Sequence, residues 1–122
     1  MTAALPGTWA DAPTLAAAAC LFRSLGDPAR LAILRHLALG EHRVRDLTER
    51  LGLAQSTVSA HLACLRGCGL VDSRPQGRAS LFSLTQDAAL RDLLAAAERL
   101  LASVGDAVVR CPVTGATGSV RP

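Results

Sequence analysis

The sequence predicts a mainly α fold with a two-stranded β-wing, and three observations carry that prediction. Its 122 residues include two phenylalanines, one tryptophan and no tyrosine, so the core must be built from Leu, Ala and Val, which favours packed helices. Apolar residues recur at helical spacing between Gly and Pro stops along most of the chain. One stretch alternates instead: "LVDSRPQGRASLFSL" reads as strand, Pro75-Gln76-Gly77 turn, strand.

Composition narrows the class. The length fits one small domain, and 50% hydrophobic residues with mixed charge predict folding over disorder. All basic residues are arginine, and the net charge of +3 permits nucleic-acid contact without demanding it. No segment approaches the roughly 20 apolar residues of a membrane span, and "MTAALPGTWADAP" lacks the pattern of a secretion signal. These features predict a cytoplasmic chain with no membrane partner and with reduced thiols. Four cysteines in such a compartment suggest metal or redox chemistry more than disulfides.

The elements follow in order. Residues 1–12 read as a flexible arm, and an alanine-rich helix spans Thr14 to Leu25. "GDPARLAILRHLALG" is a second helix: Asp27 suits the N-cap, Pro28 the first helical position, and Gly40 the stop. Leu31, Leu34 and Leu37 are its expected apolar face. A short helix near Arg43–Arg50 turns Val44, Leu47 and Leu51 inward. Gly52 makes a tight turn, and a longer helix runs from Gln55 to Cys68 behind Ala54, a weak N-cap. Two helices joined in this way form a helix-turn-helix pattern.

The basic hairpin behind it is a wing, which completes a winged helix-turn-helix in the order α-α-α-α-β-β-α. Thr85 is the expected cap of a last helix with Leu90, Leu93, Leu94, Ala97, Leu101 and Val104 at helical spacing. The domain is therefore placed at 13–104 and a tail carrying Cys111 at 105–122. Apolar faces on the first and last helices exceed what so small a domain covers, which predicts a homodimer.

Cys64 and Cys68 stand at i and i+4, stacked on adjacent turns and near enough to share one metal ion. At about 100° per residue they fall to one side of the Val58, Leu62, Leu65 stripe. His61 lies on their side, so a His-Cys-Cys zinc site is geometrically open. Two thiolates leave a soft metal undersaturated, so further ligands must come from elsewhere. Cys20 reads as a small buried hydrophobe, and His36 and His42 as solvated side chains. No base, oxyanion loop or phosphate cradle accompanies the thiols, so neither an enzyme nor a small-molecule substrate is expected.

"LGDPARLAILRHL", "DLTERLGLAQSTVSAHLACLRGCGLV" and "GRASLFSL", over roughly residues 21–84, resemble the ArsR/SmtB family of winged-helix metal-sensing repressors. Two of the family's sensing sites are missing. "HRVRDL" places Arg43 and Arg45 where one class has a Cys-x-Cys pair, and residues 87–104 lack the His of another. "LACLRGCGLV" with a later tail cysteine is similar to the CmtR-type cadmium/lead sensors.

The resemblance implies that Cys111 is the third ligand beside Cys64 and Cys68, donated by either the same subunit or its partner. The effector would be Cd(II) or Pb(II), with Zn(II) a further candidate. It also implies that Gln55, Ser56, Thr57, Ser59 and His61 meet a palindromic double-stranded operator, and that Arg74 and Arg78 contact it from the wing. His61 is read there as a DNA-face or structural residue. The expected function is repression by the apo form and release on metal binding, derepressing resistance or efflux genes. A redox or As(III) response of the same thiols is the alternative.

Overall fold

The computed structural model describes residues 10–109, with side chains through residue 105. Helix α1 spans Ala12–Leu25 and starts earlier than Thr14 because Asp11 caps it, its carboxylate accepting from the Thr14 N–H at 2.8 Å. Helix α2, Pro28–Leu37, is capped as expected by Asp27, which accepts from Ala29 N–H at 2.8 Å and Arg30 N–H at 3.1 Å. Its buried stripe is Ile33, Leu34 and Leu37. Leu31 was expected in that stripe but is 39% exposed, because it stands nearly opposite Ile33 on the helical wheel.

A two-residue strand β1, His42–Arg43, precedes helix α3, Val44–Leu51. It pairs with strand β3, Ala79–Leu84, through His42↔Phe82 and Arg43↔Leu81. The wing thus gains a third strand that a two-residue segment could not announce. That pairing also corrects the reading of two histidines as solvated. His42 is buried and its Nδ1 lies 2.8 Å from the Gly40 carbonyl. His36 has a buried Nδ1 with no hydrogen-bond partner among the described residues, and its ring meets His42 edge-on. Loss of hydration, then the charges of Arg50 and Arg35, holds the His36 pKa below its ordinary value.

Helix α4, Gln55–Gly67, follows the turn at Gly52, whose φ of 69° is the left-handed conformation that glycine adopts without penalty. Ala54 makes no side-chain cap bond, as its chemistry requires. Val58, Leu62 and Leu65 of α4 join Leu47 of α3 and Ile33 and Leu34 of α2 in a core where none is more than 1% exposed. Each such side chain contributes about 1.5–3 kcal/mol by leaving water.

Strand β2, Val71–Gln76, pairs with β3 from Val71↔Leu84 to Gln76↔Ala79 in an antiparallel sheet ordered β1-β3-β2. Pro75 therefore lies inside a strand and not in the turn, which an edge strand tolerates. The turn is Gly77-Arg78, with glycine's positive φ of 62° at its first position, the geometry of a two-residue hairpin.

Residues through Thr85 form one unit and those from Gln86 a second. Thr85 does not spend its hydroxyl on the last helix; it donates to the Gly69 carbonyl at 2.5 Å. Helix α5, Asp87–Val109, is tied at its start by an Arg91–Asp87 pair at 2.9 Å. Its backbone breaks at Val104 (φ −122°, ψ 20°) and then continues. Ser103 donates back to the Arg99 carbonyl at 3.3 Å just before the break, a contact that bends helices. No helix among the described residues is long and apolar enough to cross a membrane.

Candidate functional site: a reading helix with a thiol pair

Helix α4 presents different chemistry at its two ends. Gln55, Ser56, Thr57 and Ser59 are exposed around its amino-terminal turns, where the first N–H groups carry no side-chain cap. Short polar side chains and free N–H groups there suit phosphate or base-edge contact. The core residues Val58 and Leu62 fix which way this polar face points.

The wing arginines differ from each other. Arg78 occupies the turn and is exposed, with no ion pair or hydrogen bond among the described residues. Arg74 is held by Glu41 through Nε at 3.0 Å and a terminal nitrogen at 2.8 Å. That fork lowers the Glu41 pKa and raises that of Arg74. Arg43, which the sequence did not single out for this role, makes a similar fork to Gln76 Oε1 at 3.0 and 2.7 Å. Both forks reach across β3 and stiffen the wing.

At the other end, Cys64 is half-buried on the last full turn and Cys68 is the C-cap. Both face Ser24 of α1. The Ser24 Oγ lies 2.7 Å from Cys68 Sγ and 3.9 Å from Cys64 Sγ, close enough for hydrogen bonding in either direction. Two sulfurs converging on one oxygen is the arrangement that i, i+4 spacing predicts for a shared ligand. Cys20, expected to be buried, is exposed. Cys111 lies outside the described residues.

His61 belongs to this inner side of α4, with its side chain 17% exposed. Its Nδ1 sits 3.3 Å from a terminal nitrogen of Arg30, which can only donate. In that contact Nδ1 is the acceptor, and Nε2 lies 3.9 Å from Asp27 Oδ1. Arg30 also donates from Nε to the Ser24 carbonyl at 2.6 Å. Sequence reasoning missed Ser24 as the neighbour of the thiols, since 40 residues separate it from Cys64, and missed Arg30 and Asp27 as the neighbours of His61. An open cleft of about 400 Å³ lies elsewhere on α4, lined by Ser59, Leu62, Ala63 and Arg66 with Phe82; neither cysteine lines it.

The donor set tests what these thiols could hold. Among the described residues no group of three or more His, Cys, Asp and Glu side chains is placed to bind a metal ion. Two thiols and a hydroxyl fit a thiophilic ion only with a further donor from beyond those residues. His61 Nδ1 is taken up by Arg30.

A helix-turn-helix whose second helix exposes a polar entry beside a basic hairpin defines a winged helix-turn-helix DNA-binding protein. Comparison with known proteins makes the assignment particular. The chain belongs to the ArsR family of bacterial regulatory proteins: the model described as "Bacterial regulatory protein, arsR family" matches residues 27–73. It is 36% identical over 110 residues to the "Probable mercury resistance operon repressor" of Streptomyces lividans, covering 90% of this chain and 82% of that one. It is 44% identical over 77 residues to the HTH-type transcriptional regulator CmtR of Mycobacterium tuberculosis, covering 63% and 65% of the two chains.

Among solved structures it resembles the homodimeric winged helix-turn-helix DNA-binding domain of a protein from Mycobacterium bovis described as "a possible ArsR-family transcriptional regulator". That match has a TM-score of 0.65 at 28% identity and covers 84% of this chain and 92% of that one. Family membership makes this chain a DNA-binding transcriptional regulator and not an enzyme.

Proposed function

We propose that this chain is a homodimeric, metal-responsive repressor that holds operator DNA in its metal-free form and releases it when Cd(II) or Pb(II) binds Cys64, Cys68 and Cys111. Release would derepress metal-resistance or efflux genes. The observation that carries the reading is the convergence of two reduced thiols on the Ser24 hydroxyl, on the same helix that presents the polar DNA-facing residues. Similarity to a mercury resistance operon repressor and to CmtR supports it, as does the homodimeric relative.

Cys111, which follows α5 in the chain, supplies the third thiolate, and three thiolates favour Cd(II) or Pb(II) over a closed tetrahedral zinc site. Gln55, Ser56, Thr57 and Ser59 read the operator, with His61 bracing the helix from its inner side. Arg78 and, once freed from Glu41, Arg74 add phosphate contacts. Control follows by linkage: a metal that prefers the conformation fitting DNA poorly is itself weakened by DNA to the same factor.

A Cd(II) titration of the reduced protein, followed by thiolate-to-metal charge-transfer absorbance, tests the site beside Cys111→Ser. One ion per subunit, with intensity lost in the variant, is the expected result. An unchanged Cys111→Ser band removes the tail ligand. Absence of any band, with a disulfide formed under mild peroxide, transfers the response to redox chemistry.

A further inference from the structure

We propose that Ser24 is the positioning residue of the thiol site: its hydroxyl holds the Cys64 and Cys68 side chains together and donates a hydrogen bond to thiolate sulfur when a thiophilic metal is bound. The inference rests on the metal-thiolate reading above and concerns a residue that contributes no sulfur.

Ser24 is 5% exposed, and it and His42 are the buried polar residues of the described chain. A serine near the end of a helix ordinarily turns its hydroxyl back to the carbonyl four residues earlier. Ser24 does not. Among the described residues its Oγ meets only the two sulfurs, at 2.7 and 3.9 Å. Its backbone is fixed as well, because its carbonyl accepts from Arg30 Nε at 2.6 Å. Arg30 in turn holds His61, one turn ahead of Cys64. The serine is therefore anchored from behind and aimed at the thiols, which is how an outer-shell partner orients a metal ligand.

The proton balance selects the donor. In the metal-free protein either the hydroxyl or a thiol can donate. On binding, each thiol loses its proton to solvent as its sulfur takes the metal. The sulfurs are then acceptors only, and the Ser24 O–H remains as the one donor between them. Its hydrogen bond disperses thiolate charge, so it should raise both metal affinity and the energy of the charge-transfer band.

The probe is Cd(II) alone, added to the reduced full-length chain with a competing chelator. Ser24→Ala should bind the same number of ions with affinity about 10–100-fold weaker, and its band should move to longer wavelength. The pair Ser24→Thr and Ser24→Val repeats the comparison at nearly constant shape, with only the threonine expected to match wild type. If Ser24→Ala keeps wild-type affinity and band position, the role of Ser24 is overturned and the thiol site stands. Weaker binding with an unmoved band overturns it too, since loosened packing would then suffice. A wild type without any band overturns the metal-thiolate reading and this inference together.

Discussion

The first turns of α4 and its last turn belong to one helix, yet their surroundings are opposite. Gln55, Ser56, Thr57 and Ser59 are exposed and uncapped, whereas His61, Cys64 and Cys68 are partly covered and touch Arg30 and Ser24. Between them Val58, Leu62 and Leu65 pin the helix to the core. The free end is suited to an external surface. The tied end is suited to sense, because anything that pulls on Cys64 or Cys68 acts on their contact with Ser24 of α1. A rigid helix connects the two within about three turns.

The comparison can be broken most severely in the middle. Leu62 is 1% exposed, so Leu62→Ala should cost about 2–5 kcal/mol of stability, read by denaturant unfolding. Both ends should then fail together. At the free end, Gln55→Ala should weaken binding to the DNA upstream of the protein's own gene by about 1–3 kcal/mol. It should leave Cd(II) affinity unchanged in the charge-transfer titration.

The wing sharpens the contrast between free and tied groups. Arg78→Ala should reduce the slope of log K against log salt by about 0.9, one phosphate contact. Arg74→Ala should change it less, and Glu41→Ala should tighten DNA binding by releasing Arg74 from its fork.

The smallest expected effect is a pH dependence. His36 has its pKa held below 6.5 in the folded chain, so below that pH the unfolded state takes up a proton first. Its contribution to stability is complete above 6.5 and is lost as pH falls toward the folded-state value. Melting temperatures should therefore fall between about pH 7.5 and 5.5, and His36→Asn should flatten that fall.

These residues also show what sequence could and could not convey. Asp27, Pro28, Gly52 and the Val58, Leu62, Leu65 stripe act through local geometry, so their roles are legible from spacing. The i, i+4 placement of Cys64 and Cys68 is legible for the same reason. Ser24 reaches the thiols and Arg30 reaches His61 only through tertiary packing, and nothing in "LFRSLGDPAR" marks either as a partner of α4. Strand β1 and the burial of His42 likewise depend on β3, distant in sequence. Leu31 shows a different failure: a three-residue count selected an apolar side chain on the wrong side of α2. The Glu41–Arg74 fork is a contact between distant exposed residues, so charge alone suggested a wing arginine without showing that it was engaged.

The central claim is that the tied end of α4 controls the free end. The most direct measurement is the affinity of the reduced protein and of Cys64→Ser for the DNA upstream of its own gene, with and without saturating Cd(II). The account predicts equal DNA affinity for both without metal, release of the wild type by Cd(II), and retention of the variant. Release of Cys64→Ser to the same extent as wild type would contradict it.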